Sequence, residues 1–210
     1  YLTNEAWFTG MPFIVDERVL IPRSPIGELI ESAFFPWAPP IISKVLDLCA
    51  GSGCIGLACV QHLEVDADLV DLSEDALAVA AKNIAKHKMS ESARIIQSDL
   101  FANVSDKYDV IVTNPPYVDA ADLDAMPPEF HHEPRIALAA GDDGLDLAHK
   151  ILAEAAGYLS EQGILVMEVG NSWLALEQSY PSVPFTWIEF ERGGHGVCVF
   201  NRQELEQYFN

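Results

Sequence analysis

The strongest fold signal in the chain is the segment Asp47-Leu48-Cys49-Ala50-Gly51-Ser52-Gly53-Cys54-Ile55-Gly56. It begins at the end of a short apolar segment that predicts a strand, and it leads into an apolar stretch that predicts a helix. Glycines at such a strand-to-helix turn let the backbone come close to a ligand at the helix N-terminus. The glycines also satisfy GxGxxG, but no Gly-Lys-Ser/Thr follows, so the turn is not a P-loop. The segment therefore predicts a cofactor site on the first strand of an α/β sheet.

Strand-like and helical segments alternate along the chain after this turn. Strands are predicted at 45–49, 67–72, 93–97, 108–113 and 163–168, and helices at 55–63, 74–87 and 145–159. This alternation is typical of βαβ units and a parallel sheet. Two more strands, at 185–190 and 196–200, are close enough to be antiparallel neighbours. We expect an α/β fold whose open sheet is mostly parallel and ends in an antiparallel C-terminal hairpin.

The first 40 residues have a different pattern. Residues 8–21 predict a β-hairpin that turns at Asp16-Glu17, Ser24-Pro25 predicts the start of a helix, and the Pro-rich stretch 36–40 predicts a linker. We therefore predict a hairpin and linker segment over 1–40 and a catalytic domain over 41–210.

Composition limits the classes of function. The 210 residues carry 12 Lys and Arg against 32 Asp and Glu, for a net charge of −20. Such a chain lacks the basic surface with which proteins bind nucleic acid or anionic membranes, and it has no apolar run of bilayer length. Its four cysteines form no CxxC pair and His131-His132 are adjacent, so we expect no metal site and a reducing, cytoplasmic location.

Acidic residues follow two further predicted strands. Asp71 ends the strand after the glycine turn, where a carboxylate can bind both ribose hydroxyls, and Asp99 ends the next strand, where it can accept an adenine amino hydrogen. The carboxyl ends of parallel strands meet at one edge of the sheet. The three strand ends together predict one crevice for an adenosine-containing cofactor.

Asn114-Pro115-Pro116-Tyr117 directly follows the β-branched strand 108–113. The prolines remove two N–H donors, so the main chain here offers only carbonyl acceptors. Asn114 adds a side-chain carbonyl acceptor and Tyr117 adds a flat apolar face. Two acceptors and a ring suit a planar NH₂ group.

Together these motifs resemble those of class I S-adenosylmethionine-dependent methyltransferases that act on exocyclic or amide nitrogen. The resemblance is closest to the protein-(glutamine-N) methyltransferases and covers essentially the whole chain. The segments that carry it further are Phe8-x-Gly10-x-x-Phe13-x-Val15, Val19-Leu20-Ile21-Pro22-Arg23, Glu133-Pro134-Arg135, Gly144-Leu145-Asp146 and Glu168-Val169-Gly170. Two positions differ from the usual family motif: Cys49 replaces a Gly, and Ala50 stands where Thr is common.

The resemblance implies a Rossmann-like class I methyltransferase sheet, S-adenosyl-L-methionine as cofactor, and roles for particular residues. The catalytic residues would be Asn114, Pro115 and Tyr117, and these with Pro116 and Arg23 would bind substrate. Arg23 has a second interpretation, in which it only pairs with a surface acid. The implied cofactor-binding residues are Asp47, Cys49, Ala50, Gly51, Ser52, Gly53, Asp71, Leu72, Asp99, Leu100 and Asn114.

Within this family, Ser24-Pro25-Ile26-Gly27-Glu28 after Pro22-Arg23 is similar to the branch that methylates a glutamine of large-subunit ribosomal protein L-three. The partner implied is a basic protein, methylated before ribosome assembly. Members also carry a helical N-terminal domain, which we expect this chain to lack. Three alternatives stay open: glutamine methylation of peptide chain release factors, amino methylation of adenine in DNA or RNA, and dinucleotide-dependent oxidoreduction.

Overall fold

A computed structural model of the chain describes residues 3–116 and 145–209. The strands are β1 (Glu5–Phe8), β2 (Met11–Ile14), β3 (Lys44–Leu48), β4 (Asp66–Asp71), β5 (Ala93–Gln97), β6 (Tyr108–Thr113), β7 (Leu159–Glu168), β8 (Thr186–Trp187) and β9 (Val197–Asn201). The helices are α1 (Ile26–Glu31), α2 (Cys54–Leu63), α3 (Glu74–His87), α4 (Asp146–Glu154), α5 (Trp173–Ser179) and α6 (Arg202–Tyr208).

Seven strands form one sheet in the order β5-β4-β3-β6-β7-β9-β8. Strands β3 to β7 pair in parallel, and β9 runs antiparallel to both β7 and β8, which confirms the predicted sheet. The strand order reverses between β3 and β6, where Leu48 lies opposite Thr113. Ligands of open α/β sheets bind at the carboxyl ends of the strands that flank such a reversal. The topology thus brings the glycine turn and Asn114 to the same place.

Helices cover both faces of the sheet. The side chains of each strand alternate between the two faces, so both faces carry apolar side chains that pack against helices. Val45 of β3 packs on one face with residues of α1, α2 and α3. Leu46 and Leu48 pack on the other face with residues of α4, α5 and α6. Each of these fully buried aliphatic side chains contributes about 1.5–3 kcal/mol relative to an exposed one. Burial on both faces holds the strand ends in fixed positions.

The predicted N-terminal hairpin is wrong in its placement. Its strands are β1 and β2, and the chain turns at Thr9-Gly10 rather than at Asp16-Glu17. Thr9 and Gly10 both have positive φ (47° and 77°), the conformation that matches the twist of a two-residue hairpin turn. Asp16 instead accepts hydrogen bonds from the backbone N–H and guanidinium of Arg18, and residues 19–21 form no strand. The predicted helix after Ser24-Pro25 is confirmed as α1.

The hairpin is hydrogen-bonded to helix α3 on one face of the sheet. Asn83 of α3 is fully buried; its Oδ1 accepts from the Ile14 N–H (2.7 Å), and its Nδ2 donates to the carbonyls of Ile14 (3.0 Å) and Ser52 (2.9 Å). One side chain therefore ties the hairpin both to α3 and to the glycine turn. The division of the chain at residue 40 stays a prediction.

The C-terminal part departs from prediction in its boundaries. The predicted helix 145–159 is α4 followed by a 3-10 turn (Ala155–Tyr158), and the strand predicted at 163 begins at Leu159. The predicted strand 185–190 is reduced to β8. Helices α5 and α6 were not predicted, although α6 begins with a capping box between Asn201 and Glu204 that the sequence contains. Within 3–116 and 145–209, no helix is long and apolar enough to cross a membrane.

Candidate active site

The glycine turn at the end of β3 is held by the neighbouring strand. Cys49, Gly51 and Gly53 all have positive φ, at 63°, 54° and 77°. Asp71, the last residue of β4, accepts the Gly51 N–H at its Oδ2 and the Ser73 N–H at its Oδ1, each at 2.9 Å. This carboxylate thereby fixes both the turn and the start of α3. Burial raises the pKa of Asp71, and the N–H donors oppose the rise.

One pocket opens at this edge of the sheet, and most of the predicted cofactor residues line it. They are Cys49, Ala50, Gly51, Ser52, Asp71, Leu72, Asp99, Leu100 and Asn114, and Pro116 lies in the same wall. The structure thus brings the three strand ends singled out from the sequence together around one crevice. Gly51 has open space where a Cβ would be, but its positive φ favours glycine.

Asp47 and Gly53, at the two ends of the turn, are not among the residues that line the pocket. Asp47 is 1% exposed; its Oδ2 accepts the Gly56 N–H at 2.7 Å, and its Oδ1 has no partner in the described structure. Burial, aided by the charge of Asp71, raises the pKa of Asp47 to about 7, against the Gly56 hydrogen bond. A Cβ on Gly53 would lie 2.9 Å from Leu69 Cδ1, so this glycine serves close packing of α2 on the sheet.

The chemistry-bearing motif begins where β6 ends. Thr113 Oγ1 donates to the Leu48 carbonyl at 2.8 Å, which joins the end of β6 to the end of β3. Asn114 and Pro116 are half-buried and Pro115 is buried. The fourth predicted residue, Tyr117, lies outside the described residues, as do His131, His132, Glu133 and Arg135.

A second side of the pocket comes from the segment Arg18–Ser24, which we call the wall segment. Sequence reasoning selected only Arg23 from it. Arg23 is exposed and lines both this pocket and a shallower cleft on the outer side of the wall segment, beside Trp7 and Glu31. The sequence signal that could have indicated the whole segment is Val19-Leu20-Ile21-Pro22-Arg23, which resembles a family motif. A motif that lies in a loop is more often part of a functional site than one in a strand or helix.

The cysteines near the pocket are not suited to nucleophilic catalysis. Burial, with the charge of Asp71, raises the pKa of the Cys49 thiol far above its usual range. Burial, with the charge of Asp47, also raises the pKa of Cys54 to about 12. Both side chains are therefore neutral thiols at physiological pH.

The pocket fits an adenosine-containing methyl donor. Carboxylates at the ends of β4 and β5 offer acceptors for ribose hydroxyls and an amino group, and Leu72 and Leu100 beside them offer apolar surface for a flat base. Leu72 is 54% exposed, so its side chain is open to such a contact. The donor set contains no cluster of metal ligands among the residues described.

Comparison with known proteins gives the family. Residues 36–141 match the methyltransferase small domain. The ribosomal protein uL3 glutamine methyltransferase of Francisella tularensis subsp. tularensis is 55% identical over 212 residues, which cover 99% of this chain and 68% of that protein. The enzyme of the same name from Xanthomonas campestris pv. campestris is 48% identical over 209 residues, covering 98% of this chain and 67% of that protein. This chain belongs to the ribosomal protein uL3 glutamine methyltransferase family.

The fold of this methyltransferase also has solved counterparts. A crystal structure of a methyltransferase from Pyrococcus furiosus superposes with a TM-score of 0.66 and 16% identity, over 92% of this chain and 89% of that one. At this identity the likeness concerns the fold alone. It confirms the class I methyltransferase architecture expected from the motifs.

Proposed function

We propose that this methyltransferase moves a methyl group from S-adenosyl-L-methionine to the side-chain amide nitrogen of a glutamine in ribosomal protein uL3. The observation that carries the proposal is the position of Asn114 and Pro115. They directly follow β6, and Pro115 lies between Asn114 and Pro116, which both line a pocket whose other walls hold the carboxylates of Asp71 and Asp99. The relatives at 55% and 48% identity carry this activity in their names.

The cofactor would be held by the residues that line the pocket at the ends of β3, β4 and β5, with Asp71 directed to the ribose and Asp99 to the adenine. When bound, S-adenosylmethionine supplies an electrophilic methyl group on a sulfonium sulfur. Asp47 and Gly53 support the site without lining the pocket, because Asp47 accepts the Gly56 N–H of α2 and Gly53 lets the start of α2 pack closely against Leu69.

Asn114 and Pro115 address the central difficulty of the reaction, which is that an amide nitrogen is a poor nucleophile. Its lone pair is delocalised into the carbonyl group. We assign Asn114 Oδ1 and the Pro115 carbonyl as acceptors for the two amide hydrogens, an arrangement that aims the nitrogen and favours a more tetrahedral geometry. Catalysis then comes from positioning and from acceptors matched to the developing positive charge.

The proton balance needs no general base before the transfer. The new N–C bond would form as the S–CH₃ bond of the donor breaks, with its electron pair remaining on the sulfur of the leaving S-adenosylhomocysteine. The nitrogen becomes acidic while it still holds both hydrogens, so one proton leaves to water afterwards. Asn114 is neutral and acts only as an acceptor. Tyr117 would supply the apolar face against the glutamine amide, and Arg23 would bind substrate from the wall segment.

The proposed partner is a basic protein, and the charge of −20 suits it. A glutamine that becomes buried in the ribosome has to be reached before assembly, so we propose that free uL3 in the cytoplasm is the substrate. We also propose that residues 41–210 carry the catalytic chemistry, while residues 1–40 contribute the hairpin and the wall segment.

The test offers tritiated S-adenosylmethionine and this protein to three acceptors: ribosomal protein uL3, a peptide chain release factor and duplex DNA. We expect label in uL3. Label confined to the release factor would move the activity to the sister branch of the family, and label confined to DNA would overturn protein methylation. Calorimetry with S-adenosylhomocysteine and with NAD checks the cofactor separately, and binding of NAD alone would contradict the assignment.

A further inference from the structure

The wall segment is anchored at its beginning to the adenosine side of the pocket. Val15 and Val19, each 1% exposed, pack against Ala76 and Val79 of α3. The Val19 N–H donates to the Asp16 carbonyl at 3.1 Å, which closes the turn at this anchor. Helix α3 begins at Glu74, three residues after Asp71, so this anchor belongs to the cofactor half of the site.

The end of the wall segment has a separate anchor. Ser24 Oγ donates to Glu168 Oε2 at 2.5 Å. Ser24 Oγ also accepts a hydrogen bond from the Ile26 N–H at 3.2 Å. Both side chains belong to buried residues: Ser24 is 9% exposed and Glu168 is 6% exposed. One hydroxyl therefore links the last residue of β7 to the first turn of α1. A bond to a carboxylate in such a position is among the stronger hydrogen bonds.

The second anchor lies beside the proposed acceptor of the glutamine. Strands β6 and β7 pair in parallel register, with Thr113 opposite Met167. The next residues along the two strands are Asn114 and Glu168. Ser24 and Asn114 line the same pocket. The hydrogen bond thus joins the end of the wall segment to the strand end next to Asn114.

We propose that Ser24 and Glu168 are positioning residues for methyl transfer: their hydrogen bond fixes the end of the wall segment relative to Asn114 and so shapes the glutamine side of the pocket. The inference rests on the proposed function, because it takes Asn114 to receive the glutamine amide. The cofactor side keeps its own anchor at Val19. Loss of the Ser24 hydroxyl should therefore affect the methyl-transfer step more than cofactor binding.

The size of the effect follows from how strongly transfer depends on geometry. A displacement of about 1 Å between reacting groups can cost roughly a hundredfold in rate. Without the Ser24 hydroxyl, Glu168 loses a buried donor and the wall segment loses its bond to β7. We therefore expect Ser24→Ala to lower kcat about tenfold or more, with the dissociation constant for S-adenosylhomocysteine changed by less than about threefold.

Ser160→Ala is the matched control. Ser160 lies at the other end of β7, where its Oγ donates to Asp109 Oδ1 at 2.8 Å, again a serine hydroxyl on a carboxylate. This control removes the same kind of bond from the same strand but far from Asn114. We expect it to leave kcat unchanged, so that a general loss of stability cannot account for the effect of Ser24→Ala.

Variants of Glu168 separate positioning from charge. Glu168→Gln keeps an oxygen that can accept the Ser24 hydroxyl and should retain most of the turnover, whereas Glu168→Ala should fall to the level of Ser24→Ala. The double variant Ser24→Ala/Glu168→Ala should be no slower than the slower single variant, because both changes remove the same hydrogen bond between Ser24 and Glu168.

Rates are measured on whichever acceptor takes label from the unaltered protein, so rejection of uL3 alone overturns only the proposed function. The positioning role is contradicted if Ser24→Ala turns over like the unaltered protein. It is also contradicted if Ser24→Ala weakens S-adenosylhomocysteine binding as much as it slows turnover, since the change would then act on the whole pocket.

Discussion

Substitution of Asn114 distinguishes the part of the site that receives the glutamine amide from the part that binds the cofactor. Its Oδ1 is a proposed acceptor for the glutamine amide, and it lies at one edge of a pocket that has many other contacts for a cofactor. We predict that Asn114→Ala lowers kcat by about a hundredfold or more, as loss of a preorganised group at the reacting atom does. S-adenosylhomocysteine affinity, measured by calorimetry, should stay within about threefold of the unaltered value. An equal loss of turnover and of cofactor affinity would contradict the assignment of Asn114 to methyl transfer rather than to cofactor binding.

Asp47 predicts an unusual dependence of stability on pH. Its buried carboxyl has a pKa raised to about 7, whereas in the unfolded chain it releases its proton at the ordinary lower value of an aspartate. Between these values the folded state binds more protons, so the contribution of Asp47 to stability falls as pH rises.

The measurement for Asp47 is denaturant unfolding of Asp47→Asn and the unaltered protein at two pH values. Between about pH 5 and about pH 8, the free energy of unfolding of the variant should rise by roughly 1–3 kcal/mol relative to that of the unaltered protein, because the variant has no carboxylate to ionise. A difference that is constant over this range would show that Asp47 does not hold its proton.

Individual site residues differ in how far the sequence could reveal them. Asp71, Asp99 and Asn114 each follow a strand whose apolar pattern is plain, so the sheet edge they share could be predicted. That Asp47 and Gly53 do not line the pocket could not be predicted, because it depends on how α2 packs against Leu69. The bond between Ser24 and Glu168 spans 144 residues, and neither residue has a local signal of its partner.

Strands β3 to β6 are joined by a polar network near their amino ends. Asp68 of β4 is 3% exposed and accepts hydrogen bonds from Arg94 of β5 (2.9 and 2.7 Å) and from the Tyr108 hydroxyl of β6 (2.7 Å). Lys44 of β3 lies 3.1 Å from the same carboxylate. One side chain thereby connects four neighbouring strands at the edge opposite the pocket.

We predict that Asp68→Ala destabilises the protein by about 2–3 kcal/mol, since it leaves the buried Tyr108 hydroxyl without its acceptor. Asp106→Ala is the control: Asp106 pairs with the same Lys44 and Arg94, but its side chain is 42% exposed, so its loss should matter far less. Urea unfolding of both variants checks this. Equal effects would mean that the charges, rather than the buried hydroxyl, account for the stability.

The pH dependence of this network has the opposite sign to that of Asp47. Burial raises the pKa of Asp68, but hydrogen bonds from Arg94, Tyr108 and Lys44 outweigh burial and hold this pKa below its usual value. The stability that Asp68 contributes is present above the ordinary aspartate pKa and is lost as pH falls through the lower value in the fold. The difference between Asp68→Ala and the unaltered protein should therefore shrink below about pH 4.

The parallel strands of the sheet could be predicted to within one residue, except for the start of β7, because parallel strands form nearly continuous apolar runs. The hairpin could not be placed from the sequence, where the polar pair Asp16-Glu17 predicts its turn, whereas the chain turns at Thr9-Gly10. Thr9-Gly10 has the two positive φ values that a tight hairpin requires, and these are visible only in the folded backbone. Strand β8 is short because only Thr186 and Trp187 pair with β9.

The net charge of −20 predicts how the whole molecule meets its substrate. A strongly basic partner is attracted over long range by an acidic protein, and salt screens that attraction. We predict that kcat/KM with uL3 falls roughly tenfold between about 50 mM and about 500 mM NaCl, with kcat at saturation little changed. A neutral osmolyte at matched osmolality is the control. A rate indifferent to ionic strength would contradict electrostatic recruitment.

Mass spectrometry of uL3 after incubation with this protein and S-adenosylmethionine locates the transferred methyl group. We predict one added methyl on the side-chain amide nitrogen of a single glutamine, and none when Asn114→Ala replaces the unaltered protein. A methyl group on any other atom of uL3, or an unmodified uL3 beside a labelled release factor or DNA, would contradict the assignment.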